Sequence, residues 1–167
     1  ASIASGTLPA FNVDDYLSQT ENLEGYLFPE TYFVPETFSA TDLIALQRET
    51  YEENVDPLRA DIEASSLTEY EVLVLASIVE REANDEESMK MVAGILQNRL
   101  DIGMALQADA SIEYVLDTPL NELPAGQLAS ELRETQSPYN TYLNTGLPPT
   151  PIGNPGIMAI EAVIHPT

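Results

Sequence analysis

Between Thr68 and Ala83 the chain reads TEYEVLVLASIVEREA, and the eight residues from Val72 to Val79 are uncharged and mostly apolar. At 100° per residue that run covers every side of a helix, and a helix apolar all round has to be buried. Thr68 followed three positions later by Glu71 is a capping-box pattern, which predicts where this helix opens. Glu80 closes the run on the same stripe as Leu73, Ala76 and Ala83. A carboxyl at the end of a dry wall loses hydration, which favours its protonated form, and a proton kept near neutral pH is what a general acid needs.

The remaining pattern arranges itself around this helix. A short helix is predicted from Phe11 to Gln19. Leu23 to Val34 (LEGYLFPETYFV) is aromatic-rich and loosely alternating, with Tyr26, Phe28 and Tyr32 on one parity; Pro29 and Pro35 confine it to an edge strand or an ordered extended loop. Thr41 is placed to cap a helix to about Asn54, with Leu43, Ile44, Leu46 and Tyr51 inward. Asp56-Pro57 opens a short helix to about Ala64. After the polar break 84–87, Met89, Val92, Ala93, Leu96 and Leu100 have helical spacing, and Gly103 is placed to end that helix. Residues 104–109 (MALQAD) read as extended, and Asp109 as the cap of a short helix to Leu116. Between Asp117 and Thr135, prolines 119 and 124 and Gly126 leave only a helical turn around Leu128 to Leu132. Ser137 to Pro155 is punctuated by proline and glycine, and Asn154-Pro155 starts a last helix that ends near His165-Pro166.

Composition narrows the chemistry. With 28 acidic and 6 basic residues the net charge is −22, which repels phosphate backbones and anionic membrane surfaces and argues against a nucleic-acid partner. Hydrophobic residues make up 44% of the chain, enough for a globular core at this length. No apolar run approaches the roughly 18 residues that a membrane span requires. One histidine and no cysteine exclude an ordinary zinc site and thiol chemistry. No calcium loop or glycine-rich phosphate loop is present, and neither metal nor cofactor is expected. His165 is better placed to close a helix C-terminus than to serve as the base of a Ser-His-Asp triad. Glu80 remains as the candidate acid. Spacing alone favours a carboxylate turned to solvent, or paired with Arg99 or Arg81, because a single acid after an apolar run is common. Glu24, Glu30, Glu36, Glu82 and Asp109 are acids that could join it.

Five segments taken in order point further: LEGYLFPETY (Leu23 to Tyr32), LASIVEREA (Leu75 to Ala83), VAGILQNRLDIGMALQAD (Val92 to Asp109), SPYNTYLNTGLPPTPIGNPG (Ser137 to Gly156) and AVIHP (Ala162 to Pro166). Together they resemble the MltG/YceG family of endolytic murein transglycosylases. The resemblance implies an α+β, mostly helical catalytic domain built on a buried central helix with a few short strands, spanning residues 23–167 after a leading segment 1–22. It implies cleavage of the β-1,4 bond between N-acetylmuramic acid and N-acetylglucosamine in peptidoglycan strands, leaving 1,6-anhydromuramic ends. The family's catalytic glutamate matches Glu80, which would act first as acid and then as base.

The same resemblance implies that Gln107, Asp109, Ser137, Tyr139, Asn140 and Tyr142 line a substrate cleft, with Glu30 as a further substrate-facing carboxylate. Purely structural roles for these residues, as aromatic core and turn-forming Asn, stay open. Arg99 reads as a structural ion-pair partner. The family ordinarily carries a transmembrane helix and a LysM-like module before the EGYLFP block, and a closing segment after the His-Pro dipeptide; this sequence includes neither. The expectations are therefore peptidoglycan glycan strands as substrate, cell-wall synthesis proteins as partners, and a place on the extracytoplasmic face of the membrane, attached only through an anchor of the family's type. A muramidase on the same site, or a glycan-binding scaffold without activity, are the competing readings.

Overall fold

The structure, a computed structural model, describes residues 8–116, 122, 127 and 134–167. It is organised by one helix, α4 (Glu69–Glu82), in which all eight residues from Val72 to Val79 are buried. Thr68 and Glu71 form the reciprocal capping box that the sequence predicts: Thr68 Oγ1 accepts from Glu71 N–H, and Glu71 accepts from Thr68 N–H at 2.8 Å. Both bonds satisfy donors that a helix N-terminus leaves unpaired.

Around α4 lie α2 (Ala40–Val55), a 3₁₀ turn (Asp56–Leu58), α3 (Arg59–Ala64), α5 (Glu86–Asp101), α6 (Asp109–Leu116) and α7 (Ile157–Ile164). The core joins Leu75, Ile78 and Val79 of α4 to Met89, Ala93 and Leu96 of α5 and to Ala159, Ile160 and Val163 of α7. A smaller cluster, Tyr16, Leu27, Ala40 and Ile44, holds α1 (Val13–Thr20) against α2. Arg59 ties the 3₁₀ turn to the start of α4, reaching Asp56, Glu52 and Glu69 at once.

Several boundaries shift for identifiable reasons. The cap of α2 is Ser39, not Thr41: Ser39 completes a capping box with Asp42, and the helix opens two residues earlier. The last helix opens at Ile157, with Gly156 as its cap, two residues beyond Asn154-Pro155. Gly103 ends α5 as expected, with φ +67, and its N–H returns to Leu100 O. The helical turn expected around Leu128 to Leu132 lies outside the described residues.

The expected short strands do not form among the described residues; one isolated antiparallel bridge, Ala105 with Thr145, is all that pairs. The Leu23 to Val34 stretch is a run of turns and extended backbone. Pro29 and Pro35 lack N–H donors, and the Tyr32 hydroxyl bonds back to Phe28 O at 2.8 Å, which curls the segment instead of straightening it.

Candidate active site

Glu80 sits in the last turn of α4, where the buried stripe Leu73, Ala76, Ser77 reaches the surface, and it is partly exposed. The segment 149–156 lies along this stripe and is fixed to it at two points. Ile152 N–H donates to Ser77 Oγ at 3.0 Å, and Gly156 N–H donates to Glu80 Oε2 at 3.0 Å. Ser77 is itself buried and returns its own hydrogen to Val74 O, so both of its bonds are used. Gly156 caps the N-terminus of α7, whose dipole favours a negative group at that end. The other oxygen, Glu80 Oε1, has no partner among the described residues. Glu80 is therefore oriented by one oxygen and presents the other. This wall is wetter than the sequence suggested, because the carboxyl meets a backbone N–H at a surface edge and not a closed apolar pocket.

A second clamp brings the LEGYLF stretch to the same wall. Asn154 Oδ1 accepts from Gly25 N–H at 2.8 Å and from Leu27 N–H at 3.1 Å. Gly25 has φ +94, and a Cβ there would lie 2.7 Å from Pro151 Cγ, so neither the backbone nor the space admits a side chain. Neither Asn154 nor Ser77 was singled out by sequence reasoning. The only local hint was an asparagine flanked by glycine and proline in a turn-rich segment, which marks a backbone-binding side chain but not its target.

Two of the other predicted site residues, Asp109 and Tyr142, gather on the far side of the same helix end. Glu82 is two positions beyond Glu80, about 200° around the helix. It is exposed as a residue, but its carboxyl turns inward to accept from Ala110 N–H at 3.3 Å, at the start of α6. Asp109 accepts from the Tyr142 hydroxyl, and Arg81 pairs with Glu113 at 3.1 Å. Gln107 is exposed between buried Leu106 and Ala108, with φ +53, a region that non-glycine residues enter at a cost. Thr141 holds that conformation: its carbonyl takes Gln107 N–H at 3.0 Å, and its Oγ1 takes Ala108 N–H at 3.0 Å. Asp109 and Tyr142 are thus brought together beside Glu82.

Three residues make contacts that the sequence did not indicate. Asn140 is fully buried, and its amide serves backbone: Nδ2 donates to Thr135 O, and Oδ1 accepts from Tyr142 N–H. It staples a turn. Glu30 is exposed and folds onto the adjacent Thr31 N–H at 3.1 Å. Arg99 is structural, but its partner is the carbonyl of Leu106 and not a carboxylate. Ser137 supports the same turn, accepting from Tyr139 N–H at 3.2 Å. His165 stands 3.3 Å from Asp61, at the end of α7.

Burial raises the pKa of Glu82, and neighbouring Asp109 and Glu113 add to the rise; the Ala110 N–H and Arg81 oppose it. Burial, and then the bond to Asp109, push the Tyr142 hydroxyl up to about 12, so it remains the donor of that pair. A carboxyl whose folded-state pKa is raised adds stability while protonated, and that stability is lost as pH rises through the folded value. Glu82→Gln, which can still accept from Ala110 N–H, is therefore expected to melt a few degrees higher than the parent at about pH 7. The gap should close toward about pH 4, where Glu82 is itself protonated. Equal melting temperatures at neutral pH would contradict the assignment of a disfavoured charge there.

The model of the YceG-like family matches residues 4–167. The chain belongs to the YceG-like family. Among curated relatives, the endolytic murein transglycosylase of Streptococcus pneumoniae serotype 2 is 36% identical over 145 residues, covering 87% of this chain and 26% of that protein. The Bacillus subtilis protein of the same name is 35% identical over 145 residues, covering 86% of this chain and 39% of its own length. The crystal structure of a YceG-like protein from Listeria monocytogenes superimposes with a TM-score of 0.74 at 34% identity, over 95% of this chain and 52% of that one. The chain thus spans between about a quarter and two fifths of the curated relatives it matches. Among the described residues, no helix is long and apolar enough to cross a membrane.

Proposed function

We propose that this YceG-like chain carries the catalytic centre of an endolytic murein transglycosylase, with Glu80 as acid and then base. The observation that carries the reading is the state of its carboxyl group: Oε2 is held by Gly156 N–H while Oε1 is left open at a surface edge. The relatives named endolytic murein transglycosylase supply the substrate class, peptidoglycan. A site that acts on peptidoglycan would work on the extracytoplasmic side.

In the first step Oε1 gives its proton to the oxygen linking C1 of N-acetylmuramic acid to C4 of N-acetylglucosamine, and the C1–O4 bond breaks. The carboxylate left behind lies at the N-terminus of α7, where negative charge is favoured. It then takes the proton of the muramyl C6 hydroxyl as O6 bonds to C1, closing the 1,6-anhydro ring. Glu80 ends as it began, protonated, and no water is consumed. One carboxyl in two successive protonation states removes the need for a second acid at bonding distance.

The test uses insoluble peptidoglycan and the protein as it stands. Soluble glycan should be released by the parent, whereas Glu80→Gln should sediment with peptidoglycan and release none. A parent that sediments with peptidoglycan yet releases no glycan would make the chain a binding scaffold instead.

A further inference from the structure

Glu24, Tyr114, Tyr139 and Thr150 come from four separate parts of the sequence and meet at one place. The Tyr114 hydroxyl donates to Glu24 Oε2 at 2.8 Å, and the rings of Tyr114 and Tyr139 lie 5.0 Å apart at 46°. The Tyr139 hydroxyl and Thr150 Oγ1 are 2.8 Å apart. The quartet is built into the wall that carries Glu80. Glu24 precedes Gly25, which Asn154 holds; Thr150 precedes Pro151 and Ile152, which Ser77 anchors one turn before Glu80. A closed circuit of contacts therefore runs from Glu24 through Asn154, Gly156 and Glu80 to Ser77, and back through Ile152, Thr150 and the two tyrosines.

Two properties of the quartet are not explained by packing. Both tyrosine rings are only partly buried, so the pair keeps a ring surface at the edge of the wall. Glu24 is half-buried, and its Oε1 has no partner among the described residues. No buried side-chain oxygen among the described residues lacks a partner, so this oxygen reaches solvent and is open to an incoming donor. Burial and the bond to Glu24 both raise the pKa of Tyr114, so its hydroxyl keeps its proton, remains the donor and leaves the acceptor role to Glu24. An apolar ring face beside an open acceptor is the chemistry that fits a pyranose: its C–H face packs on an aromatic ring, and its hydroxyl and acetamido N–H groups donate.

We propose that Glu24, Tyr114 and Tyr139 form a sugar subsite next to Glu80, in which one N-acetylated hexosamine lies against the tyrosine pair and donates to Glu24 Oε1. This rests on the glycan reading above and adds the unit that fixes the strand's register over the acid. Glu24 is a binding residue here and takes no proton in the reaction.

The experiment measures binding without cleavage. Glu80→Gln serves as the parent, and peptide-free strands of alternating N-acetylglucosamine and N-acetylmuramic acid are the probe, titrated by calorimetry. Adding Glu24→Gln exchanges a charged acceptor for a neutral one and should weaken binding about tenfold, roughly the difference between a hydrogen bond to a charged group and one to a neutral group. Tyr114→Phe keeps the ring and frees Glu24 from its orienting donor, and should weaken binding in the same direction. In protein with Glu80 intact, Glu24→Gln should raise KM by a similar factor while kcat changes less than about twofold, the signature of lost uniform binding. Unchanged affinity in both variants overturns the subsite and makes the pair a structural strut, and a fall in kcat at unchanged affinity overturns it as well. A Glu80→Gln parent that binds no strand refutes the glycan reading itself, an outcome distinct from a parent that binds and a Glu24→Gln variant that binds equally.

Discussion

Replacing Glu80 by glutamine is expected to lower the rate of glycan release by about 10³-fold while leaving the protein folded and able to bind its strand. The magnitude follows from general acid–base catalysis, which is worth roughly 10²–10⁴-fold. A mechanism that uses one group for both proton transfers falls at the upper part of that range. Glutamine has nearly the shape of glutamate and can still accept from Gly156 N–H, so the link between α4 and the start of α7 survives. What it cannot do is give a proton to the glycosidic oxygen or take one from the C6 hydroxyl. Melting temperature and strand affinity should therefore stay close to those of the parent. Undiminished release by Glu80→Gln would move the catalytic role elsewhere.

The largest expected effect on stability comes from α4. Leu75 is completely buried in the cluster that joins α4 to α5 and α7. Leu75→Ala removes apolar contacts and leaves a cavity that the surrounding helices can only partly close. Such substitutions cost about 2–5 kcal/mol, a large share of the roughly 5–15 kcal/mol that holds an ordinary domain together. For a chain of this length the melting temperature should fall by roughly 5–15 °C in a thermal scan. A drop of only a degree or two would mean that α4 is not the organising element. Because eight successive residues of α4 are buried, the same scan at an outward position of α5, such as exposed Ile95, should show far less.

The difference between these two predictions reflects what a sequence can express. The burial of α4 was legible because eight apolar residues in succession leave a helix no side to turn to water. Its start was legible because a capping box is a local pattern. The end of α5 at Gly103 followed from equally local chemistry, whereas the stretch read as extended over 104–109 breaks at Gln107, with φ +53, and passes into α6 at Asp109. Glu80 could be picked out as the acid where that run stops, but its surroundings could not. The group that orients it arrives from Gly156, and nearby Asn154 grips Gly25, 129 positions away. No periodicity encodes such a contact.

Other contacts were illegible for the same reason. Asn140 belongs to a residue type suited to sugar recognition, and the turn at 137–144 uses its amide for backbone bonds and buries it. Asp109 meets Glu82, on the other side of α4 from Glu80, through a fold contact that no local pattern announces. Glu24 was visible only as one acid among several until Tyr114 gave it a partner and left one of its oxygens open.

Digestion of peptidoglycan in water enriched in oxygen-18, followed by mass analysis of the released ends, tests the proton path through Glu80 most directly. If O6 of the muramyl residue attacks C1, the ends are 1,6-anhydromuramic acid and carry no label. Reducing ends bearing one oxygen-18 would mean that water, not the C6 hydroxyl, gives up its proton to Glu80, and would contradict the transglycosylase account.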